Sequence, residues 1–271
     1  MISVIVTTKN ESSHLPRLLN SLKGQSYKKY EVIVVDNKST DDTKNIAKKA
    51  GVRIYDKGPE RSAQRNFGVF VAKGDYVLIL DADMTLAKNV LMDCVHAVEK
   101  DKRVGALIIP EKSFGVGFWS KFKTFEREFY VGDETVEAPR FFNKTVYKKF
   151  GGYDEKITGP EDFDLPPRMR KSGVKIGRIA SFISHDEGKF SPIKSAQKKF
   201  YYASHSGIFL KRHPEQALTS GNLIFRPVFF KKWKKIIAHP FLFLGVMLIK
   251  AIEGIGAFTG VISSGIIWTQ R

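Results

Sequence analysis

The chain has 271 residues, 42% of them hydrophobic, and a formal net charge of +17, so it can bury a full core and is no small stapled scaffold. Its one cysteine, Cys94, excludes an internal disulfide, and the opening MISVIVTTKN has neither the basic start nor the apolar length of a signal peptide, which leads us to expect a cytosolic catalytic part. The charge is lopsided: from Lys189 to Lys235 eleven Lys or Arg face a single acid, Glu215, so the basic excess belongs mainly to the C-terminal region.

Three apolar, β-branched runs, SVIVT, EVIVVD and YVLILD, alternate with segments of helical spacing, the pattern of βαβ units and a parallel sheet buried on both faces. Between the first two, Leu15, Leu18, Leu19 and Leu22 recur at i, i+3, i+4 and i+7 and predict one apolar helix face, with Gly24 as its stop. After the second run, Ser39 or Thr40 is placed to cap a helix opening with Asp41 and Asp42, acids suited to its positive end. A third helix is predicted over about residues 60–73, ending at Gly74. Beyond YVLILD the spacing predicts a helix carrying Leu91, Cys94, Val95 and Val98, and VGALIIP predicts a further short strand. The expected architecture is an open α/β sheet to about residue 110, a mixed region to about 225 and a distinct tail, without internal repeats.

All three long strands run into polar groups: Thr7, Thr8, Lys9, Asn10 and Glu11 after the first, Asp36 and Asn37 after the second, Asp81 and Asp83 after the third. Asp and Asn also favour turns, but three strand ends together point to one crevice, because parallel sheets bind ligands beyond their carboxyl ends. Two carboxylates at i and i+2 repel each other, and a hard divalent cation that completes its shell with substrate phosphates compensates them.

With these motifs in view the sequence resembles the family 2 glycosyltransferases of GT-A fold over about residues 2–215. The resemblance is carried by VIVTTKNESSHLPRLLNSLKGQSYKKYEVIVVDNKSTDDT, RSAQRNFGVFVAKGDYVLILDADM and GGYDEKITGPEDFDLPPRMRKSG, in matching order and strand context. It implies a Rossmann-like, mostly parallel central sheet with flanking helices, and inverting transfer of a sugar from a nucleotide-sugar donor, a UDP- or GDP-sugar. It further implies a divalent metal, Mn²⁺ or Mg²⁺, between the diphosphate and the D-x-D carboxylates. Residue by residue it points to Thr7, Thr8, Asn10 and Glu11 in the nucleotide pocket, Asp36 at the base or ribose with Ser39 beside it, Arg61 and Arg65 as phosphate or base contacts, Asp81 at the ribose and Asp83 as metal ligand.

In GPEDFDLPPRM, Glu161, Asp162 and Asp164 precede a helix that presents Met169. The resemblance makes Asp162 the base that takes the acceptor hydroxyl's proton, and groups Glu161 with the donor contacts. A carboxylate near a diphosphate and poorly solvated is expected to have a raised pKa, which suits a base near neutral pH. Pro166 and Pro167 fit a first helical turn, so Asp164 is expected to cap and to leave Asp162 free. His185 is a candidate third metal ligand, since related enzymes place a histidine near this point, although a lone histidine is more often structural. GGYDE resembles the family's loop before the acidic motif. Processive relatives carry Q-x-x-R-W, whereas Gln197 here begins QKKFY with Phe200 and Tyr201, which implies transfer of a single sugar.

The expected organisation is a catalytic domain over 1–225 and a basic, aromatic junction with apolar helices over 226–271. Residues 236–249 and 254–270 carry no Lys, Arg, Asp or Glu, and neither run alone reaches a bilayer-spanning length. Together they do if Lys250 and Glu253 face each other on a helix, the alternatives being a re-entrant hairpin, an interfacial helix or helices folded back on the catalytic domain. Four lysines around Trp233 in FFKKWKKIIAHPFLFL suit an anionic membrane surface, so the enzyme is expected at the cytoplasmic face of the cell membrane with a lipid-linked or glycan acceptor. Oligomerisation is left open. Two other readings compete. LILDADMTL resembles the D-x-D-x-T loop of haloacid dehalogenase-type phosphatases, which would make Asp81 a nucleophile, but Met84 replaces the usual Gly and the other strand ends go unexplained. A basic nucleic-acid binder fits the charge, yet that charge abuts an apolar segment and no binding module accompanies it, so no nucleic-acid partner is expected.

Overall fold

A computed structural model describes residues 1–134, 136–213 and 227–264. The boundary expected after residue 225 and the last part of the second charge-free run, 265–270, lie outside the described residues. The chain forms two compact units: Met1–Glu111, Glu137–Glu155 and Glu161–His185 build the first, and Lys112–Val136, Lys156–Pro160 and Asp186–Arg271 the second.

In chain order the elements are β1 (Ile2–Thr8), α1 (Leu15–Lys23), β2 (Tyr30–Asp36), α2 (Thr43–Lys49), β3 (Arg53–Asp56), α3 (Arg61–Val71), β4 (Tyr76–Asp81), β5 (Met84–Leu86), α4 (Val90–Lys100) and β6 (Val104–Ile108). There follow β7 (Glu111–Phe114), α5 (Phe118–Tyr130), β8 (Phe141–Asn143), α6 (Lys144–Lys149), a 3₁₀ turn at Glu161–Phe163, α7 (Leu165–Lys171), β9 (Lys175–Arg178), β10 (Ile183–Asp186), α8 (Pro192–Ser204) and α9 (Gly207–Arg212). Three further helices span Pro227–Lys231, Trp233–Ala238 and Pro240–Ser263.

The first unit holds a seven-stranded sheet in the order β3-β2-β1-β4-β8-β6-β9, parallel except for β8, which runs antiparallel to both β4 and β6. This is the α/β architecture that the three apolar runs predict. The sheet does not stop near residue 110, because β8 and β9 extend it. β1 is buried along its whole length, and its alternation feeds two cores. Val4 and Val6 pack with Leu15, Leu18, Leu22 and the α4 side chains on one face. Ile5 packs with Ile33, Val35 and Val69 on the other.

α3 lies close to β1 because Gly68 has no side chain: a Cβ there would stand 2.3 Å from Ile5 Cγ2. Gly68→Ala is therefore expected to lose about 1–3 kcal/mol of stability through overpacking, despite alanine's better helix propensity, as a shift in the urea midpoint.

Two local expectations change. α2 begins at Thr43, later than a cap at Ser39 or Thr40 predicts, because the Ser39 hydroxyl donates to Asp36 (2.5 Å) and the Thr40 amide donates to Asn10 Oδ1 (2.8 Å). Asp164 does occupy the N-cap position of α7, but its carboxylate caps nothing and accepts instead from Arg168 Nε at 2.9 Å. The donors that an N-cap side chain normally takes are the second and third amides of the helix, and here both belong to prolines, Pro166 and Pro167.

The second unit has its own aromatic core of Phe125, Phe129, Tyr130, Val228, Phe229 and Val246. Within it Lys250 and Glu253 meet as their spacing predicts, with Nζ 2.8 Å from Oε2.

Candidate active site

The site lies in the first unit, beyond the carboxyl ends of β1, β2 and β4. Register aligns the ends: Thr8 lies opposite Asp36 and Thr7 opposite Asp81. Each threonine hydroxyl donates across to its acid, Thr8 to Asp36 at 2.8 Å and Thr7 to Asp81 at 2.9 Å. Two knots of polar groups follow.

The first knot is closed upon itself. Asp36 is fully buried, and its oxygens accept from Thr8 and from both the amide and hydroxyl of Ser39, with Lys44 3.8 Å away. Asn10, in the left-handed region at φ 57°, donates its amide to Ser39 Oγ (2.7 Å). Asp36, Ser39 and Asn10 thus fix the loop shape at this end of the sheet. Glu11 pairs with His14 at 2.8 Å. Burial raises the Glu11 pKa, His14 opposes the rise, and the charges of Asp83 and Asp81 add to it.

Arg65 centres the second knot. Its guanidinium is completely buried; Nη1 lies 2.7 Å from Asp162 Oδ1 and 3.4 Å from Glu161 Oε1, and Nη2 lies 3.2 Å from Asp81 Oδ1. The ring of Tyr153 from the GGYDE loop lies beneath it, with Cζ 5.2 Å from the centroid. Arg61 reaches Glu161 at 3.2 Å. Four predicted residues from distant parts of the chain, Arg65, Asp81 and the adjacent Glu161 and Asp162, therefore converge. Burial opposes the charge of Arg65, but Asp162, Asp81 and Glu161 outweigh it and keep the guanidinium protonated. Burial and the neighbouring Asp162 raise the Glu161 pKa against Arg61 and Arg65. Asp162 itself stays 25% exposed, within reach of a ligand.

Sequence reasoning missed Arg140 and Glu111. Arg140 Nε donates to Glu111 Oε1 at 2.5 Å, and its Nη1 lies 3.7 Å from Asp81 Oδ2. Burial works against the ionised Asp81 carboxylate, yet Arg65, Arg140 and Arg61 hold its pKa well below the usual range. Asp81 is thus neutralised by guanidinium groups. The available signal was position alone, since Glu111 follows β6 and Arg140 precedes β8 in the sheet.

Asp83 is treated differently. Antiparallel pairing of β5 with β10 sets His185 opposite Met84, and His185 Nε2 lies 3.2 Å from Asp83 Oδ2, with Nδ1 3.6 Å from Glu111 Oε2. Burial would lower the imidazole pKa, but the carboxylates of Asp83 and Glu111 push it up to about 10. A metal-ligating imidazole must be neutral, so a divalent ion beside Asp83 would displace this proton. Asp83 Oδ1 is buried without a hydrogen-bond partner among the described residues. No group of three or more His, Cys, Asp or Glu able to hold a metal comes together among those residues. An orphaned carboxylate oxygen beside an imidazole fits a hard divalent ion that takes two protein ligands and draws the rest from a diphosphate.

Comparison with known proteins bears on the fold and the family. The Glycosyl transferase family 2 profile matches residues 3–155. An uncharacterized glycosyltransferase of Methanocaldococcus jannaschii is 26% identical over 260 residues, covering 85% of each chain. The pre-mycofactocin glycosyltransferase of Mycobacterium tuberculosis is 25% identical over 238 residues, 79% of this chain and 48% of that one. Among solved structures, the mannosyltransferase PcManGT from Pyrobaculum calidifontis, in complex with GDP-Man and Mn²⁺, superposes with a TM-score of 0.63 at 18% identity, covering 100% of this chain and 88% of that one. S. aureus TarS 1–349 in complex with UDP gives 0.58 at 21% identity, covering 100% and 93%. The structural likenesses establish the GT-A fold, and the profile, spanning more than half of the sequence, establishes that this chain belongs to glycosyl transferase family 2 and is a glycosyltransferase.

Proposed function

We propose that the enzyme transfers a single sugar, with inversion, from a nucleotide-sugar donor to a hydroxyl of a lipid-linked or glycan acceptor at the cytoplasmic face of the membrane. The observation that carries this reading is the meeting of Arg65 with Asp81 and the Glu161–Asp162 pair at the carboxyl end of the sheet. It sets a cation suited to a diphosphate beside a reachable carboxylate suited to a base. The relatives crystallised with GDP-Man and with UDP support a UDP- or GDP-sugar as donor. Family membership displaces the phosphatase reading of Asp81.

In this reading Thr7, Thr8, Asn10, Glu11, Asp36 and Ser39 form the nucleotide pocket, with Asp36 acting through the loop it holds. Arg61, partly exposed, exchanges Glu161 for diphosphate oxygens, and Arg65 turns Nη2 from Asp81 towards them while Nη1 keeps Asp162. Asp83, with His185 once its proton is displaced, would hold a divalent ion, Mn²⁺ or Mg²⁺, and that ion would supply charge stabilisation to the departing diphosphate. Asp162 accepts the proton of the attacking hydroxyl. Residues 1–225 do the chemistry, and the basic, aromatic and apolar stretch over 226–271 keeps it at the membrane.

The test is a thermal-shift titration with UDP- and GDP-sugars, with and without Mn²⁺. One nucleotide class is expected to stabilise the protein only when the ion is present, by about 2.7 kcal/mol at a hundredfold excess over Kd. Asp83→Asn is expected to abolish the ion-dependent part of the shift. Nucleotide stabilisation that ignores both Mn²⁺ and Asp83 would remove the metal from the mechanism, and no response to any nucleotide sugar would remove the donor.

A further inference from the structure

The helix Pro240–Ser263 is 24 residues long and apolar enough to cross a bilayer by length and composition. Its packing within the second unit argues for a different placement. One face is seated on α5 and α8. A Cβ on Gly245 would stand 2.2 Å from Phe122 Cδ1; on Gly256, 2.3 Å from the Ala196 carbonyl oxygen; on Gly260, 2.4 Å from that of Phe200. The same face carries Lys250 and Glu253, both buried, in a cluster with Lys123 and Glu126 of α5. Ser195 of α8 donates to Glu253 Oε1 at 2.6 Å.

The opposite face is bare. Phe241, Leu244, Leu248, Ile255, Phe258 and Ile262 are between 47% and 83% exposed and recur at helical spacing in one stripe. On the chain just before it, Phe230, Trp233 and Ile237 are exposed among Lys231 and Lys234.

The geometry points to a bilayer of anionic lipid as the occupant of this stripe, with the helix lying flat in the interface and crossing nothing. This inference rests on the membrane reading above and makes it specific. A spanning helix would carry α8 with it, and α8 exposes Lys194 and Lys198, which the hydrocarbon disfavours. A flat helix sinks only its apolar stripe while its charged face stays in protein. Trp233 and the adjacent lysines then meet the headgroups, the setting in which an amphipathic ring and basic side chains complement anionic lipid.

The full chain suits a depth measurement, because its one native thiol, Cys94, is fully buried. Nitroxides would be placed singly on Leu244→Cys, Ala251→Cys and Phe258→Cys, and the proteins mixed with vesicles of 70% phosphatidylcholine and 30% phosphatidylglycerol. We expect flotation with these vesicles, binding about tenfold weaker to pure phosphatidylcholine, and one shared shallow depth for all three labels by collision with oxygen and nickel chelate. A label at Ala251 deeper than both others, with Phe258 shielded from reagents on the added side, would overturn the flat placement and leave membrane association standing. Failure to float would overturn both, and spin coupling between copies in solution would then assign the stripe to a second copy of the chain.

Discussion

Asp162→Asn is expected to lower kcat for transfer to a hydroxyl acceptor by about 10²–10⁴-fold, the usual contribution of a general base, while donor affinity changes little. The amide keeps the size of the carboxylate and still offers an oxygen to Arg65 Nη1, which lies 2.7 Å from the present Oδ1. What it cannot do is accept the hydroxyl proton. Single-turnover transfer and a separate nucleotide titration together make the check, since a structural role for Asp162 would weaken both. Turnover close to wild type with a hydroxyl acceptor would show that the proton leaves by another route. An acceptor that is already anionic, such as a lipid phosphate, needs no base, and the same variant would then keep its rate with that acceptor alone.

The second large effect is on stability. Lys250→Met is expected to cost about 3–5 kcal/mol, measured as a fall in the denaturant midpoint, because it strands buried anions. Lys123 and Lys250 each touch both Glu126 and Glu253, at distances from 2.5 to 3.2 Å, so two cations and two anions alternate around a closed ring. Without Lys250, one lysine remains for two carboxylates, and water is kept from all of them. The double variant Lys250→Met/Glu253→Met removes one charge of each sign and leaves the Lys123–Glu126 pair, 2.9 Å apart. It is expected to be far closer to wild type than either single change, since a buried pair replaced by well-packed apolar groups is often neutral. Equal losses in the single and double variants would mean that the ring matters through packing and not through charge balance.

The strands that position the site were legible because each is a long apolar run that closes on polar residues, and a buried parallel strand has few other ways to be written. β8 and β9 were not, since FFN is too short to show a period and KIGR reads as polar surface on an edge strand. The acids at the end of β4 stand out in the sequence as a repelling pair, but their compensation was only half foreseen. A metal was invoked for the pair, whereas Asp81 draws on Arg65 and Arg140, residues 16 and 59 positions away, and only Asp83 keeps an oxygen uncommitted. Pairings of that range leave no local pattern, which is also why Glu111 and Arg140 went unnoticed. The start of α2 was misjudged because Ser39 and Thr40, good caps in isolation, are engaged elsewhere: the Ser39 hydroxyl turns back to Asp36 three residues earlier, and the Thr40 amide donates to the distant Asn10.

The backbone passes between the two compact units five times, after residues 111, 136, 155, 160 and 185. Neither unit is therefore a separable module. Deleting everything beyond residue 185 would leave 112–136 and 156–160 attached but stripped of the company they fold with, and aggregation is the expected fate of such a fragment. A water-soluble form for crystallography is better sought by replacing residues of the bare stripe, such as Phe241, Leu248 and Ile255, with polar ones while every crossing stays intact.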